Sequence, residues 1–193
     1  MNLKQQEKEI ETIKERTVIL NLSDADCIRI AKLTGSHGIS VQKLLENFIG
    51  DLVDGTYSNG STVHMNAAQY FESCWFGMYP EKTLLKYLVD ENNVEDFIEN
   101  YGLLDAHEKH IECYEEEIGL YEDREHEGYE LRTLEENLVY LEGIQEEADF
   151  RRGKLQDYYQ EYARIVDEPE SYEDGVASVL KWWDDLNKWK ADK

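Results

Sequence analysis

Apolar positions in the second half of the chain recur with a strict helical beat. Leu134, Leu141, Ala148, Leu155 and Tyr162 fall every seven residues. Leu138, Tyr159 and Val166 fill the alternate seam positions, with Gln145 and Arg152 as polar breaks. This spacing predicts a helix from Tyr129 to Val166, roughly 57 Å long at 1.5 Å per residue, with a seam that needs a partner helix. A preceding helix is predicted from Leu104 to about His126, with Ile111, Tyr114, Ile118 and Tyr121 on its seam. The phase slips around residues 122–128. A tight turn there would let the two helices pack as an antiparallel hairpin, and a continuous helix with a stutter is the alternative.

Earlier in the chain the pattern is shorter in range. Residues 1–15 read as a polar helix or a frayed arm. Arg16–Leu22 is a short β-rich run. Ser23 and Asp26 form a capping-box-like pair at the start of a helix from Asp24 to about Thr34. Gly35–Gly38 is a turn, and Ser40 caps a second helix. Its residues Val41, Leu44, Leu45, Phe48, Ile49, Leu52 and Val53 make an i, i+3, i+4, i+7 stripe. The Gly-, Ser- and Asn-rich residues 55–62 read as a linker. Three short helices follow: Asn66–Phe76, Glu81–Val89, and one capped by Asn93 and ending at Gly102. Trp75, Phe76, Tyr79, Tyr87, Phe97 and Tyr101 read as a small aromatic core, with a ligand cage as the alternative. Pro169 stops the long helix, and Gly175–Lys190 is a last amphipathic helix with Trp182 and Trp189 off its stripe. The expected domains are 1–54, and 63–193 with the long hairpin at 104–166.

Charge sharpens this picture. The 193 residues carry 43 acids against 20 bases, a formal net charge of −23. Thirteen Tyr and four Trp argue against a disordered acidic chain, which would be poor in aromatics. Between Leu104 and Asp149 there are seventeen acids against Lys109, Arg124 and Arg132. An ordinary exposed helix pairs Glu with Lys at i+4. Here Glu115, Glu116 and Glu117, then Glu122, Asp123, Glu125 and Glu127, stand almost without Lys. A rod of one sign displays carboxylates much as a duplex displays phosphates, and its natural target is a basic groove. Bare nucleic acid and anionic membranes are poor partners for it.

Candidate chemistry is sparse. Three widely spaced cysteines and no CxxC argue against a disulfide framework or a zinc site. No apolar run approaches the length of a membrane span, and the charged N-terminus does not read as a signal peptide, so a cytoplasmic location is expected. There is no phosphate-binding glycine loop, no HExxH and no calcium loop. His107, His110 and Cys113, spaced i, i+3, i+6, read as surface or seam residues, with a metal site as the alternative. The expectation is a non-enzymatic protein with no cofactor and no metal.

The order strand, helix, glycine turn, Ser-capped helix over residues 16–53 resembles the ribbon-helix-helix family of DNA-binding proteins. That resemblance implies an intertwined homodimer whose paired strands read the major groove. The DNA-facing roles would fall on Thr17, Ile19 and Asn21, with a phosphate at Ser40; Ile19 departs from the usual polar residue. Residues 1–54 carry nine acids against seven bases, so little phosphate neutralisation is available. The module either binds an operator or serves only to dimerise.

As a whole the chain is similar in general character to the acidic anti-CRISPR and antirestriction inhibitors of phages and mobile elements. The reading is thus a mainly α protein: a ribbon-helix-helix-like module, a small helical core, and a long acidic coiled-coil hairpin. It would bind a basic DNA-binding protein, a CRISPR nuclease such as Cas9, through a nucleic-acid-mimicking surface. A transcriptional regulator of a phage or mobile element is the alternative.

Overall fold

The structure is a computed structural model that describes residues 3–122 and 128–191, with side chains from 7 to 119 and from 134 to 191. The described residues are mainly helical: α1 Leu3–Glu11, α2 Asp24–Ser36, α3 Val41–Leu52, α4 Ser61–Ser73, α5 Trp75–Met78, α6 Leu84–Asp90, α7 Val94–Glu122, α8 Gly128–Ile165 and α9 Tyr172–Ala191. None of these helices is long and apolar enough to cross a membrane. The chain forms two compact units, residues 1–81 with 185–193, and residues 82–184.

In the first unit the caps fall where the sequence places them. Ser23 Oγ accepts from the Asp26 amide at 3.2 Å, and Ser40 Oγ accepts from the Lys43 amide at 3.0 Å. Each relieves an orphan donor of a first helical turn. Gly38 takes the left-handed conformation, φ +67°, that the turn between α2 and α3 requires. The corner between α4 and α5 also needs glycine. A Cβ on Gly77 would strike the Phe71 carbonyl oxygen and lie 2.8 Å from Glu72 Cα.

The expected strand Arg16–Leu22 is not formed: residues 13–23 carry neither helix nor strand. A strand exists only through hydrogen bonds to a neighbour, and no strand partner lies beside it among the described residues. The Arg16 guanidinium ties this segment down, donating to the carbonyls of Trp189 and Lys190 at 3.0 and 2.7 Å. The stripe of α3 is likewise only half covered. Phe48, Ile49 and Val53 are exposed, as are Val18, Leu20 and Leu22. Among the described residues of this unit, Ala67 is the one buried hydrophobic side chain.

The second unit has a proper core. Leu84 and Leu88 of α6, Phe97 and Leu104 of α7, Ala148, Leu155 and Tyr162 of α8, and Val176 and Val179 of α9 form one buried cluster. Polar groups at its edge are satisfied. Tyr162 Oη donates to the Lys82 carbonyl at 3.0 Å and accepts from the Glu170 amide at 3.1 Å. Glu170 Oε1 accepts from the Leu84 amide at 2.6 Å, which helps cap α6. Expected and observed boundaries differ most at Gly102, which was predicted to stop a short helix. α7 instead runs unbroken from Val94 to Glu122, because Gly102 sits on an exposed face and Leu104 continues the buried stripe.

Candidate functional site

α7 and α8 lie side by side and run in opposite directions. Phe97 meets Tyr158, with ring centroids 6.0 Å apart, and Tyr114 meets Tyr140, with centroids at 5.1 Å. Between these contacts Glu108 pairs with Arg152 at 3.0 Å. As one number rises the other falls, which fixes the antiparallel sense. The link between the two helices, residues 123–127, lies outside the described residues, and with it the predicted contacts Asp123, Glu125 and Glu127. Glu122 is the last residue of α7, and its side chain is likewise outside the description.

The seam of α7 is Phe97, Asn100, Leu104, His107, Ile111, Tyr114 and Ile118, alternating steps of three and four, all buried or half-buried. The expected Leu104, Ile111, Tyr114 and Ile118 are among them. On α8 the sevenfold series from Leu134 to Tyr162 also faces the seam. Of the expected alternate positions, Tyr159 and Val166 are half-buried against the core, but from Asn137 to Arg152 the seam is shifted by one. Asn137, Ile144, Arg151 and Tyr158 turn inward, whereas Leu138, Gln145 and Arg152 are exposed. The reason is polar pairing. Arg151 donates to Asn100 Oδ1 at 3.0 Å, and Tyr158 donates to Asp96 Oδ2 at 2.6 Å. These bonds hold a phase that leaves Leu138, Val139 and Tyr140 facing solvent.

Outside the seam nearly every charged side chain is acidic. Residues 104–118 and 134–150, which face one another along this pair, contain twelve acids and one base, Lys109. That lysine is engaged by Asp105 at 2.6 Å, a hydrogen bond and charge pair that raise its pKa. Arg152 is clasped by Glu108 at 3.0 Å and Asp149 at 2.5 Å, and its pKa rises for the same reason. The few bases nearby are thus spent locally and do not change the sign of the face. Glu115, Glu116 and Glu117 are exposed on α7, as predicted contacts must be.

One feature here was not read from the sequence. A groove of about 390 Å³ runs beside Gly143, lined by His107, Glu136, Val139, Tyr140, Ile144 and Glu147. Its sequence signal is a glycine in mid-helix beside two apolar residues that the wrong seam phase had left unassigned. His107 faces this groove while His110 and Cys113 are exposed. Among the described residues no group of three or more His, Cys, Asp or Glu side chains is arranged to hold a metal ion.

Of the predicted DNA-facing residues, Thr17, Ile19 and Asn21 are exposed on the irregular segment before α2. Ser40 is exposed as well, with its hydroxyl already accepting from the α3 amide of Lys43. Compared with family models, with curated proteins and with solved structures, the chain matches none.

Proposed function

We propose that this chain is a non-enzymatic, anti-CRISPR-type inhibitor. It binds a DNA-handling nuclease and interferes with DNA binding or cleavage, the acidic face of α7 and α8 standing in for nucleic-acid phosphate. The observation that carries the reading is the ratio of twelve acids to one already engaged lysine on the facing stretches of these helices. Such a surface costs self-repulsion, which a basic partner relieves on binding. In this reading α7 and α8 form a coiled-coil hairpin that works as a rigid acidic rod, and Glu115, Glu116 and Glu117 are its described contacts. The test is a pull-down of purified protein with CRISPR nucleases and restriction enzymes, with and without DNA. A nuclease that is retained and that DNA competes away supports mimicry. If Glu115, Glu116 and Glu117 are all changed to Lys and inhibition persists in full, mimicry by this segment is wrong.

A second reading rests on a different observation, the open apolar faces and the irregular segment within residues 13–53. These suit a ribbon-helix-helix module in which two chains pair their Arg16–Leu22 strands, with Thr17, Asn21 and Ser40 toward DNA. The protein would then be a transcriptional regulator of a phage or mobile element, and α7–α8 would serve assembly. Thr17→Ala with Asn21→Ala separates the two. A regulator loses operator binding in a gel-shift assay, whereas an inhibitor of the first kind keeps its inhibition.

A further inference from the structure

Charge alone is a poor lock: it attracts any basic surface. Between α7 and α8 the acidic face is interrupted by an apolar trough. Gly143 forms its floor, since a Cβ there would meet nothing within 4 Å. Tyr140 and Val139 form one wall, 56% and 71% exposed, and His107 of α7 lines the other side. Tyr140 is braced by its ring contact with Tyr114, so the wall is held by packing. Glu136 and Glu147 stand along the same face of α8, one turn to either side of Tyr140 and Gly143.

We propose that this trough seats a basic amphipathic helix supplied by the partner protein. The inference rests on the reading that the acidic face meets a basic protein, and it adds the feature that gives that contact register. Large apolar side chains spaced i, i+3, i+7 on the incoming helix enter the trough, the usual way a groove reads a helix. Lys and Arg on its flank meet the carboxylates of Glu136 and Glu147. A second copy of this chain docking through its own α7–α8 face is excluded as occupant, because it would bring two faces of twelve acids to one base together. A wholly apolar helix would bring no charge to offset the twelve acids of this face.

The experiment uses the full chain and three fluorescent peptides of equal charge, each of about 18 residues, or five turns. One is a Lys/Leu helix with its leucines on one face. Another has the same composition scrambled so that no apolar face forms. The third contains only Lys and Ala. The first should bind at least about tenfold more tightly than the scrambled peptide. Gly143→Leu, which fills the trough, should erase that difference, and so should Val139→Ser. Binding of the Lys/Ala peptide should be the same in all three proteins. Far-ultraviolet circular dichroism checks that both variants stay helical; Val139 is exposed enough that its change leaves the fold untouched. Equal binding of the ordered and scrambled peptides, or an undiminished preference in Val139→Ser, overturns the trough while the acidic-surface reading stands. Failure of the Lys/Ala peptide to bind at low salt overturns the acidic-surface reading itself.

Discussion

The phenol of Tyr158 on α8 donates to Oδ2 of Asp96 on α7 at 2.6 Å. The same carboxylate oxygen accepts from Asn100 Nδ2 at 3.0 Å, with Lys154 Nζ 4.0 Å away. Asn100, 1% exposed, passes the network on to Arg151. Removing one member that leaves the others satisfied costs little: Tyr158→Phe should lower stability by about 1 kcal/mol in urea denaturation. Asn100→Ala should cost about 2–3 kcal/mol, because a buried donor and acceptor lose their partners together.

The same contact has a pH signature. Burial first, and the Asp96 hydrogen bond and charge second, push the Tyr158 pKa from its ordinary 10.0 up to about 12. The folded protein therefore holds this proton more tightly than the unfolded chain does. The contribution is complete below pH 10 and is lost as pH rises from about 10 to about 12. Tyr87 and Tyr172 are raised in the same direction, so alkaline destabilisation should be shallower in Tyr158→Phe without vanishing. Denaturation midpoints measured across that pH range would show it. An unchanged slope would mean that the phenol is not shielded in solution.

Two glycines give opposite answers to one substitution. Gly143 lies in mid-helix with open space around it, so Gly143→Ala should stabilise the protein by about 0.5–1 kcal/mol through the lower backbone entropy of the unfolded chain. Gly175, near the start of α9, packs on a fully buried Leu84, and a Cβ there would lie 3.1 Å from Leu84 Cβ and Cδ2. Leu84 cannot withdraw without opening the core, so Gly175→Ala should destabilise by about 1–3 kcal/mol. A thermal scan of both variants is sufficient, and a shift of equal sign would refute the contrast.

How much of this was legible in the sequence depends on whether burial followed hydrophobicity. The sevenfold series from Leu134 to Tyr162 is apolar or aromatic throughout and identifies α8 at once. Its companion positions do so only in part: Tyr159 and Val166 pack on the core as expected, but further up the helix hydrophobicity favoured Leu138 over Asn137. Asn100 and Arg151 settle the phase by binding each other inside the seam, and a buried polar pair looks like a gap to any reading based on periodicity. The groove beside Gly143 follows from that phase, so it was hidden for the same reason. The Arg16–Leu22 strand fails for another reason: it requires backbone partners, and the described residues place none beside it. The caps Ser23 and Ser40 were legible because capping is local, settled within three residues.

Asp51 governs the segment after α3. Its side chain accepts from the Asn59 amide at 2.6 Å, from Asn59 Nδ2 at 2.9 Å and from Ser58 Oγ at 3.2 Å, and these bonds hold its pKa below the ordinary 3.8. A depressed carboxylate contributes above its unfolded pKa and loses that contribution as pH falls through the folded value. Asp51→Ala should release the loop, seen as faster hydrogen exchange at the Asn59 amide, while exchange in α7 and α8 stays slow. Wild-type protein taken below pH 3.8 should show the same local loss. Unaltered Asn59 protection in the variant would mean that the loop is held by other contacts, such as the Thr56 hydroxyl on Glu9.

Self-association and partner binding should respond to salt with opposite signs. A small trough lined by Leu22, Ile30, Leu33 and Leu44, with Asp26 and Arg29 at its edge, lies where the irregular segment meets α2 and α3. Leu22 and Leu33 are 50% and 57% exposed, a poor arrangement for a lone chain. Residues 1–54 have nine acids and seven bases, whereas the remainder has 34 acids and 13 bases. Two copies joined through the first segment would therefore associate by apolar contact against the repulsion of their acidic parts. Added salt screens that repulsion within roughly 8 Å at physiological strength and leaves the apolar term intact. The dimer should tighten as sodium chloride rises from about 0.05 to 0.5 M, while binding to a basic nuclease weakens over the same range. Leu22→Asp should raise the dimer dissociation constant by about a hundredfold, equivalent to ~3 kcal/mol. Sedimentation equilibrium at several salt concentrations reads both effects. A wild-type protein that stays monomeric at high salt would show that these apolar faces do not join two copies.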